Sequence, residues 1–317
     1  MDTARNDHIR YIGAEEVLAA ISPRRAIDAV ERALAGLDRG EVRAPKAIGE
    51  AVPDGTFHVK ACAGASGDLA RLYVAKVNAN FPQNMARHGM PTIQGAILAF
   101  DTRCGKLLAV VESSSVTMLR TAATTAVAFR HLARENSKVA TIVGCGAQGG
   151  AHLRVLAHVL PIERVYLFDM DRARAQSLAE RAAGMGFPFT VSVMSDLAVG
   201  TRLSDVVVTC TSSKAPFLEA HHVRKATCVA AVGADNEQKA EIGLSLLQTA
   251  RIVTDQSGQC VKTGDLRRLV GESGPGDWME LGHAIATGKG RVRDDEVVVF
   301  DSTGLAVEDL ALVAELL

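Results

Sequence analysis

Residues 139–156 carry the stretch that decides the fold, VATIVGCGAQGGAHLRVL. A short, mostly apolar run typical of a buried strand comes first, and a helical pattern comes last. Between them, Gly144, Gly146 and Gly149 have the G-x-G-x-x-G spacing. In a dinucleotide-binding turn, these glycines permit the tight turn, the approach of the backbone to the pyrophosphate, and close packing of helix on strand. The helix that follows directs its first N–H groups at the phosphates. The stretch therefore predicts a dinucleotide site.

The next strand-like segment, RVYLFD, ends at Asp169. An acid roughly 20 residues beyond such a turn accepts hydrogen bonds from the ribose hydroxyls and repels a 2′-phosphate. Asp169 therefore favours NAD over NADP. Arg172 follows closely, and its positive charge keeps NADP open as the less favoured alternative.

From residue 116 onward, strand-like and helix-like segments alternate, which is typical of parallel βαβ units. The expected strands are 140–143, 164–168, 204–210, 228–232, 251–254 and 297–301. The fold class is therefore α/β, with a Rossmann doubly wound parallel sheet. Ligands bind at the carboxyl ends of such strands, so Thr209, Thr211 and Ser213 are candidates to hydrogen-bond the cofactor. Ordinary capping by these hydroxyl groups is the alternative.

The N-terminal part has a different rhythm, which indicates a smaller α+β domain. A helical pattern covers residues 13–41. Short turns then separate four strand-like runs, a spacing that favours antiparallel pairing; the runs are 55–64, 71–81, 92–101 and 107–113. We expect a substrate-binding and dimerisation domain at 1–117, completed by the C-terminal helix in 304–317, and an NAD-binding domain at 118–303.

Composition excludes several classes of protein. The net charge of -1 over 317 residues has no bulk attraction for nucleic acid or an anionic membrane. The longest apolar runs have the length of strands, well short of the ~20 residues that span a membrane. The six cysteines show no C-x-x-C spacing, so we expect reduced thiols and no metal site. The polar N-terminus lacks the apolar core of a secretion signal, and the expected location is cytoplasmic.

Four motifs occur in order along the chain: LRTAATTAVAFRHLA (119–133), VGCGAQG (143–149), VGADNEQKAEI (232–242) and FDSTGLAVEDLA (300–311). With them the chain resembles the ornithine cyclodeaminase/mu-crystallin family. That family includes ornithine and lysine cyclodeaminases, alanine dehydrogenases, and ketimine and pyrroline-2-carboxylate reductases. The resemblance implies a nicotinamide cofactor on the Rossmann part, a small amino or imino acid substrate, and a homodimer.

The resemblance also implies roles for individual residues. Lys76 matches the active-site lysine, Arg120 the arginine that helps to bind the substrate carboxylate, and Asp235 the aspartate beside the reacting amine or imine. Either Arg43 or Lys46 joins the carboxylate site, and the spacing does not decide between them. The expected cofactor-binding residues are Thr121, Gly144, Gly146, Ala147, Gln148, Gly149, Asp169, Thr209, Thr211, Ser213, Val232 and Ser302.

One strand departs from the cyclodeaminase pattern. In that branch the strand matching GTFHVKACAG carries an acid near the ornithine side chain, whereas here it offers His58 and Lys60. These two residues alternate onto the same face of a strand, so both are candidates to line the substrate pocket. A cationic strand suits a neutral or acidic substrate side chain better than the ammonium group of ornithine.

Three functions compete. The first is an NAD(H)-dependent oxidoreductase that interconverts a small 2-imino acid and its amino acid, in a direction that the sequence does not reveal. The second is an ammonia-lyase of the cyclodeaminase type, which recycles NAD internally. The third is a non-catalytic, mu-crystallin-like binding protein. The presence of Lys76, Arg120 and Asp235 together favours an enzyme.

Overall fold

The computed structural model describes residues 8–270 and 278–317. They form two compact units: the described residues up to Arg120 together with Ala306–Leu317, and the described part of Thr121–Leu305. The prediction that the N-terminus carries no secretion signal concerns residues 1–7 in part, and these lie outside the described residues.

The first unit is built on a mixed sheet with the strand order β1-β7-β6-β5-β4-β2, and β3 pairs with β4. Strands β4 to β7 are antiparallel neighbours, as their short connections predicted, and β1 runs parallel to β7. The strands are β1 (Arg10–Ile12), β2 (Val42–Arg43), β3 (Ile48–Val52), β4 (Gly55–Gly64), β5 (Leu72–Asn80), β6 (Ile93–Asp101) and β7 (Lys106–Glu112).

The helical pattern predicted over 13–41 is divided in two. α1 (Ala14–Ala20) ends before Ser22, and α2 (Pro23–Asp38) begins with a proline. Proline suits the first turn of a helix but removes a donor from a helix interior, so the break falls there. The Ser22 side chain caps α2 by accepting a hydrogen bond from the backbone N–H of Arg25, at 3.3 Å.

Two helices cover one face of this sheet. α11 (Ala306–Ala314) packs against α2, β4 and β5. The sheet residues of this covered face are largely buried, as the alternation of a strand requires; they include Cys62, Val74, Ile97 and Val111. The remaining helices of the unit are α3 (Asn84–His88) and the start of α4 (Ser113–Leu132).

The second unit contains a parallel sheet with the strand order β10-β9-β8-β11-β12-β15-β13-β14. The chain adds β9 on one side of β8 and later adds β11 on the other side. The order in which strands are added to the sheet therefore reverses at β8. This reversal is the switch point at which Rossmann folds bind ligands. The strands are β8 (Val139–Val143), β9 (Arg164–Phe168), β10 (Thr190–Val193), β11 (Val206–Thr209), β12 (Cys228–Ala231), β13 (Arg251–Thr254), β14 (Met279–Glu280) and β15 (Val298–Asp301).

The predicted α/β class with a Rossmann sheet is therefore confirmed. The connecting helices are α5 (Ala147–Leu156), α6 (Arg172–Ala183), α7 (Leu197–Leu203), α8 (Leu244–Thr249), α9 (Ser257–Thr263) and α10 (Leu281–Thr287). Within the described residues, every helix is too short or too polar to cross a membrane.

Candidate active site

The glycine turn after β8 has the geometry that a dinucleotide requires. Gly144 has φ +101°, and a Cβ there would lie 2.9 Å from the carbonyl oxygen of Cys210. A Cβ on Gly149 would lie 2.2 Å from the carbonyl oxygen of Gly144, so helix and turn pack too closely for a side chain. At Gly146 a Cβ would meet no described atom within 4 Å. The turn is closely packed at its first and third glycines and open at the second, where a pyrophosphate approaches.

The start of α5 provides donors for an anion. Gly146 precedes the helix and has no side chain to cap it, and Ala147 and Gln148 form its first turn. The backbone N–H groups at such a start carry the positive end of the helix dipole. The helix itself is anchored by the buried His152, whose Nδ1 lies 2.8 Å from the carbonyl oxygen of Gln148 and whose Nε2 lies 2.9 Å from Oγ1 of Thr125.

Asp169 lies at the end of β9, beside the turn. Its Oδ2 accepts a hydrogen bond from the backbone N–H of Cys145 at 2.8 Å, and its Oδ1 accepts one from Asp171 at 2.9 Å. These bonds hold the carboxylate next to the glycine turn, the position from which an acid binds ribose hydroxyls. Arg172 begins α6 and is exposed. The turn, the helix start and Asp169 thus fit a bound NAD.

Two of the predicted cofactor ligands have another partner. The hydroxyls of Thr209 and Thr211 both donate to the carboxylate of Glu241, at 2.7 Å each. The hydroxyl group of Ser213 donates to the carbonyl oxygen of Ala215, at 2.6 Å. The backbone N–H of Val232 donates to the carbonyl oxygen of Thr209 and so extends the pairing of β12 with β11. These side chains shape the loops at the carboxyl ends of β11 and β12.

Glu241 is a residue that the sequence interpretation missed. Its fully buried carboxylate also accepts the backbone N–H groups of Thr211, at 2.6 Å, and Gly233, at 2.9 Å. Burial and the nearby Asp265 raise the pKa of Glu241 to about 7, against the lowering effect of its hydrogen-bond donors. A Cβ on Gly233 would lie close to the Glu241 carboxylate, so this loop requires glycine. Glu241 therefore joins the loops that follow β11 and β12.

Ser302 is held in a similar way. Asp255 accepts hydrogen bonds from the Ser302 hydroxyl at 3.0 Å and from the backbone N–H groups of Thr303 and Gly304, both at 2.7 Å. Asp255 is buried after β13, and Ser302 is buried after β15. The polar sequence DSTG thus forms a fixed loop at the same edge of the sheet. Thr121, the remaining predicted cofactor ligand, is buried in α4.

Asp235 lies in the loop after β12 and is exposed. Its Oδ1 accepts hydrogen bonds from Lys239 at 2.8 Å and from the Asn236 amide at 3.1 Å. These contacts fix the position of the carboxylate in the loop beyond a parallel strand, where ligands of a Rossmann fold bind.

Lys76 lies on β5 and is only 4% exposed. Its Nζ lies 2.8 Å from Oδ1 and 2.6 Å from Oδ2 of Asp309, a fully buried residue of α11, and 3.4 Å from Oγ1 of Thr117. Burial lowers the pKa of Lys76 to about 8, while Asp309 opposes that shift and Arg120 and Lys60 add to it. The result is a buried ammonium group whose pKa is much closer to neutral pH than that of an exposed lysine.

Arg120 lies on α4, and its acidic partner, Glu308, lies on α11, like Asp309. Its Nη1 lies 2.9 Å from Oε2 of Glu308, and its Nε lies 3.7 Å from Oδ1 of Asp309. Arg120 and both acids are buried. The two cations were predicted from the sequence and the two acids were not, although both acids lie in the quoted motif FDSTGLAVEDLA. We call the four residues Lys76, Arg120, Glu308 and Asp309 the buried charge cluster.

The register of the first sheet shows which other basic residues share a face with Lys76. Lys60 on β4 lies directly opposite Lys76, and His58 lies opposite Asn78. Both are half-buried, and His58 Nε2 lies 3.1 Å from Oγ1 of Thr56. The structure thus brings His58 and Lys60 to the face that carries the buried charge cluster.

Arg43 and Lys46 are both exposed. Arg43 lies on β2, opposite Ala63 of β4, and Lys46 lies in the segment between β2 and β3. Arg43 and Lys46 therefore both remain candidates for the carboxylate site. Among the described residues, no group of three or more His, Cys, Asp or Glu side chains is arranged to hold a metal.

Comparison with known proteins adds to this geometry. The model of the ornithine cyclodeaminase/mu-crystallin family matches residues 11–316. An iminosuccinate reductase from Paracoccus denitrificans is 30% identical over 308 residues, which cover 95% of this chain and 93% of that protein.

Two solved structures are similar over almost the whole chain. An archaeal alanine dehydrogenase dimer with bound NAD has a TM-score of 0.91 and 30% identity, covering 97% of this chain and 94% of that one. The Thermococcus litoralis Δ1-pyrroline-2-carboxylate reductase with NADH and L-proline also has a TM-score of 0.91, with 26% identity, covering 97% and 96%. These relatives are oxidoreductases, in agreement with the predicted class of enzyme and cofactor. The chain belongs to the ornithine cyclodeaminase/mu-crystallin family.

Proposed function

We propose that this protein is an NAD(H)-dependent oxidoreductase that interconverts a small 2-imino acid and the corresponding amino acid. The observation that carries the proposal is the buried charge cluster, which holds Lys76 and Arg120 in fixed positions on acids of α11. The relatives named above act as an iminosuccinate reductase, an alanine dehydrogenase and a pyrroline-2-carboxylate reductase. In each name the substrate or product carries nitrogen beside a carboxylate.

Arg120 would bind the substrate carboxylate. A guanidinium group presents paired N–H donors that match the two oxygens of a carboxylate, and burial strengthens the interaction. Glu308 fixes the guanidinium through Nη1 and so reduces the entropy that the side chain loses when the substrate binds.

Lys76 and Asp235 would handle charge and protons at the reacting centre. Because the pKa of Lys76 lies at about 8, its ammonium group is charged at neutral pH and can polarise a bound imine or carbonyl group. Asp235 would stabilise the positive iminium nitrogen, or move a proton to or from it. When bound, the nicotinamide cofactor supplies or accepts the hydride. The glycine turn would hold its pyrophosphate, and Asp169 its ribose hydroxyls.

Replacing Asp169 by alanine is expected to relax the preference for NADH over NADPH by about tenfold or more, because a charged hydrogen-bond acceptor is lost together with its repulsion of the 2′-phosphate. The ratio of kcat/KM for the two cofactors measures this. Asp169→Asn keeps the shape without the charge, so an equal change in both variants assigns the preference to charge. A wild-type enzyme that prefers NADPH would refute this role for Asp169.

The cyclodeaminase reaction is the alternative, because the family includes it by name. A face on which Lys60 lies directly opposite Lys76 disfavours the second ammonium group of ornithine. The proposal is tested with purified protein, NADH, ammonia and a series of 2-oxo acids, together with cyclic imines. Steady NADH oxidation that depends on the acid supports a reductase. Release of ammonia from ornithine without net NADH change supports the lyase, and binding without turnover supports a binding protein.

We also propose that the protein forms a homodimer through the face of the first sheet that α2 and α11 leave open. That face is apolar and exposed: Tyr11 is 73% exposed, Ile48 68%, Val77 42% and Phe57 41%. A patch of this kind on a sheet marks an interaction surface. The similar alanine dehydrogenase structure is described as a dimer.

The residue Val77 tests this interface. Val77→Asp is expected to shift the protein from dimer to monomer in analytical ultracentrifugation, because the interface would bury an unpaired charge. Val199, 45% exposed on α7, provides the matched control Val199→Asp. A dimer that persists unchanged in Val77→Asp would contradict the proposed interface.

A further inference from the structure

The buried carboxylate of Glu241 has no role in the function proposed so far. Its Oε1 accepts the hydroxyl and the backbone N–H of Thr211, at 2.7 and 2.6 Å. Its Oε2 accepts the hydroxyl of Thr209, at 2.7 Å, and the backbone N–H of Gly233, at 2.9 Å. Each oxygen therefore accepts one hydroxyl group and one backbone N–H. Because Thr209 ends β11 and Gly233 follows β12, one side chain joins the carboxyl ends of two strands.

Contacts on both sides of this carboxylate lead to groups with proposed roles in the reaction. On the β11 side, Cys210 lies between the two threonines, and its Sγ lies 3.2 Å from the carbonyl oxygen of Gly144 in the glycine turn. On the β12 side, the carbonyl oxygen of Gly233 accepts the backbone N–H of Asp235, at 3.2 Å. Glu241 is thus part of a continuous series of contacts from the glycine turn to Asp235.

The backbone of Glu241 is itself held by buried acids. Oδ1 of Asp265 accepts the backbone N–H groups of Glu241 and Ile242, at 3.0 and 3.2 Å. The carboxylate of Asp301, which ends β15, accepts the N–H groups of Asp265 and Leu266, at 3.2 and 2.8 Å. All three acids are fully buried, where hydrogen bonds are stronger than in water. The position of Glu241 is therefore set by the sheet.

Asp235 lies in the connection between β12 and α8, which Glu241 closes near its end. Asp235 is exposed, and its contacts with Lys239 and Asn236 stay within that connection, so these two contacts do not fix it on the sheet. The bond from Gly233 to the Glu241 carboxylate does fix it. A group that acts on a substrate needs such support to keep its productive geometry.

We propose that Glu241 is a positioning residue for imine reduction, which holds Asp235 in place relative to the glycine turn and acts on the reaction through Asp235. The inference rests on the proposed function, since it requires Asp235 to act at the reacting nitrogen.

Glu241→Gln tests the proposal, because an amide nitrogen donates and cannot accept. In either orientation of the amide, one backbone N–H and one hydroxyl would face this nitrogen. We expect kcat with NADH and an imine to fall at least about tenfold, since a displacement of about 1 Å can cost up to about 100-fold. KM for NADH should change by less than about threefold, because Asp169 and the glycine turn keep their own contacts. The matched control is Glu296→Gln, which alters a carboxylate that accepts two backbone N–H groups before β15, and it should change neither constant.

A double variant distinguishes positioning from a general structural role. If Glu241 acts through Asp235, then Glu241→Gln combined with Asp235→Asn should have the kcat of Asp235→Asn alone, because effects of coupled residues are not additive. Losses that multiply would overturn the inference, as would an unchanged kcat in Glu241→Gln. Should Glu241→Gln fail to fold, Thr209→Val, which removes a single donor, replaces it in the same comparison, with the same outcomes for and against.

Amide hydrogen exchange provides a readout that does not depend on turnover. In Glu241→Gln, the amides of residues 232–236 should exchange at least about tenfold faster than in the wild type, because local opening becomes easier. The amides of residues 145–149 should keep their rates. A wild type that reduces no imine would refute the proposed function, whereas unchanged exchange over residues 232–236 would separately refute the positioning by Glu241.

Discussion

Lys76→Met is expected to lower kcat/KM for imine reduction by at least about 100-fold, the scale of a positioned acid–base group. The same change should destabilise the protein by about 3–5 kcal/mol, because the buried carboxylate of Asp309 loses the nearer of its two cations and keeps only Arg120, whose Nε lies 3.7 Å away. Steady-state kinetics and denaturant unfolding measure the two effects. The two effects have separate causes, since activity depends on the ammonium group of Lys76 and stability depends on how well the buried charge of Asp309 is compensated.

A double variant separates these causes. Lys76→Met combined with Asp309→Leu replaces both charges with apolar groups, and such replacements of a buried ion pair are often neutral for stability. We expect the double variant to regain most of the lost stability and none of the activity. Recovery of activity along with stability would show that Lys76 has only a structural role.

The pH dependence of Lys76 gives a second check. Its pKa is about 8, lowered from 10.5, so kcat/KM should fall as the pH rises through about 8 and the ammonium group loses its charge. Between about pH 8 and pH 10.5, Lys76 holds its proton in the unfolded chain but not in the folded chain. The contribution of Lys76 to folding stability therefore rises with pH over that interval, while activity falls. In Lys76→Met this contribution should disappear.

Arg120→Met is expected to raise KM for the imino acid by roughly 100-fold, because a buried charge-assisted contact with a carboxylate is worth about 3 kcal/mol. KM for NADH should change little, since the cofactor contacts proposed above do not involve Arg120. Kinetics with each substrate varied in turn measure both values.

Arg120→Lys provides the matched control. It keeps a positive charge for Glu308 but removes the planar pair of donors, so we expect stability close to the wild type and an intermediate KM. Arg120→Met also leaves Glu308 buried without its cation, and its unfolding free energy is measured alongside. A folded Arg120→Met enzyme with an unaltered KM would refute the assignment of the substrate carboxylate.

Regular patterns in the sequence predicted the parallel sheet well. The glycine spacing, the buried strand before it and Asp169 are local features, and the structure shows them in the expected arrangement. The strands β1, β2, β10 and β14 have two to four residues, too few for a recognisable alternation. The break between α1 and α2 was readable from Pro23, because proline is rare inside a helix.

Long-range polar partners were much harder to predict. Thr209 and Thr211 lie at the carboxyl end of a strand, as cofactor ligands do, but their hydroxyls donate to Glu241, which lies 32 and 30 residues further along the chain. Lys76 and Asp309 are separated by 233 residues. A charged residue in a motif gives no indication of which opposite charge will be buried against it, since that depends on how the helices pack on the sheet.

The most direct test of the proposed function follows nicotinamide absorbance and products in one reaction. Purified protein is mixed with NADH, ammonia and 2-oxo acids, and separately with ornithine and NAD. We predict that one NADH is oxidised for each amino acid formed from a 2-oxo acid, and that ornithine gives no product. Release of ammonia from ornithine with no net change in NADH, and no reduction of any imine, would contradict the account.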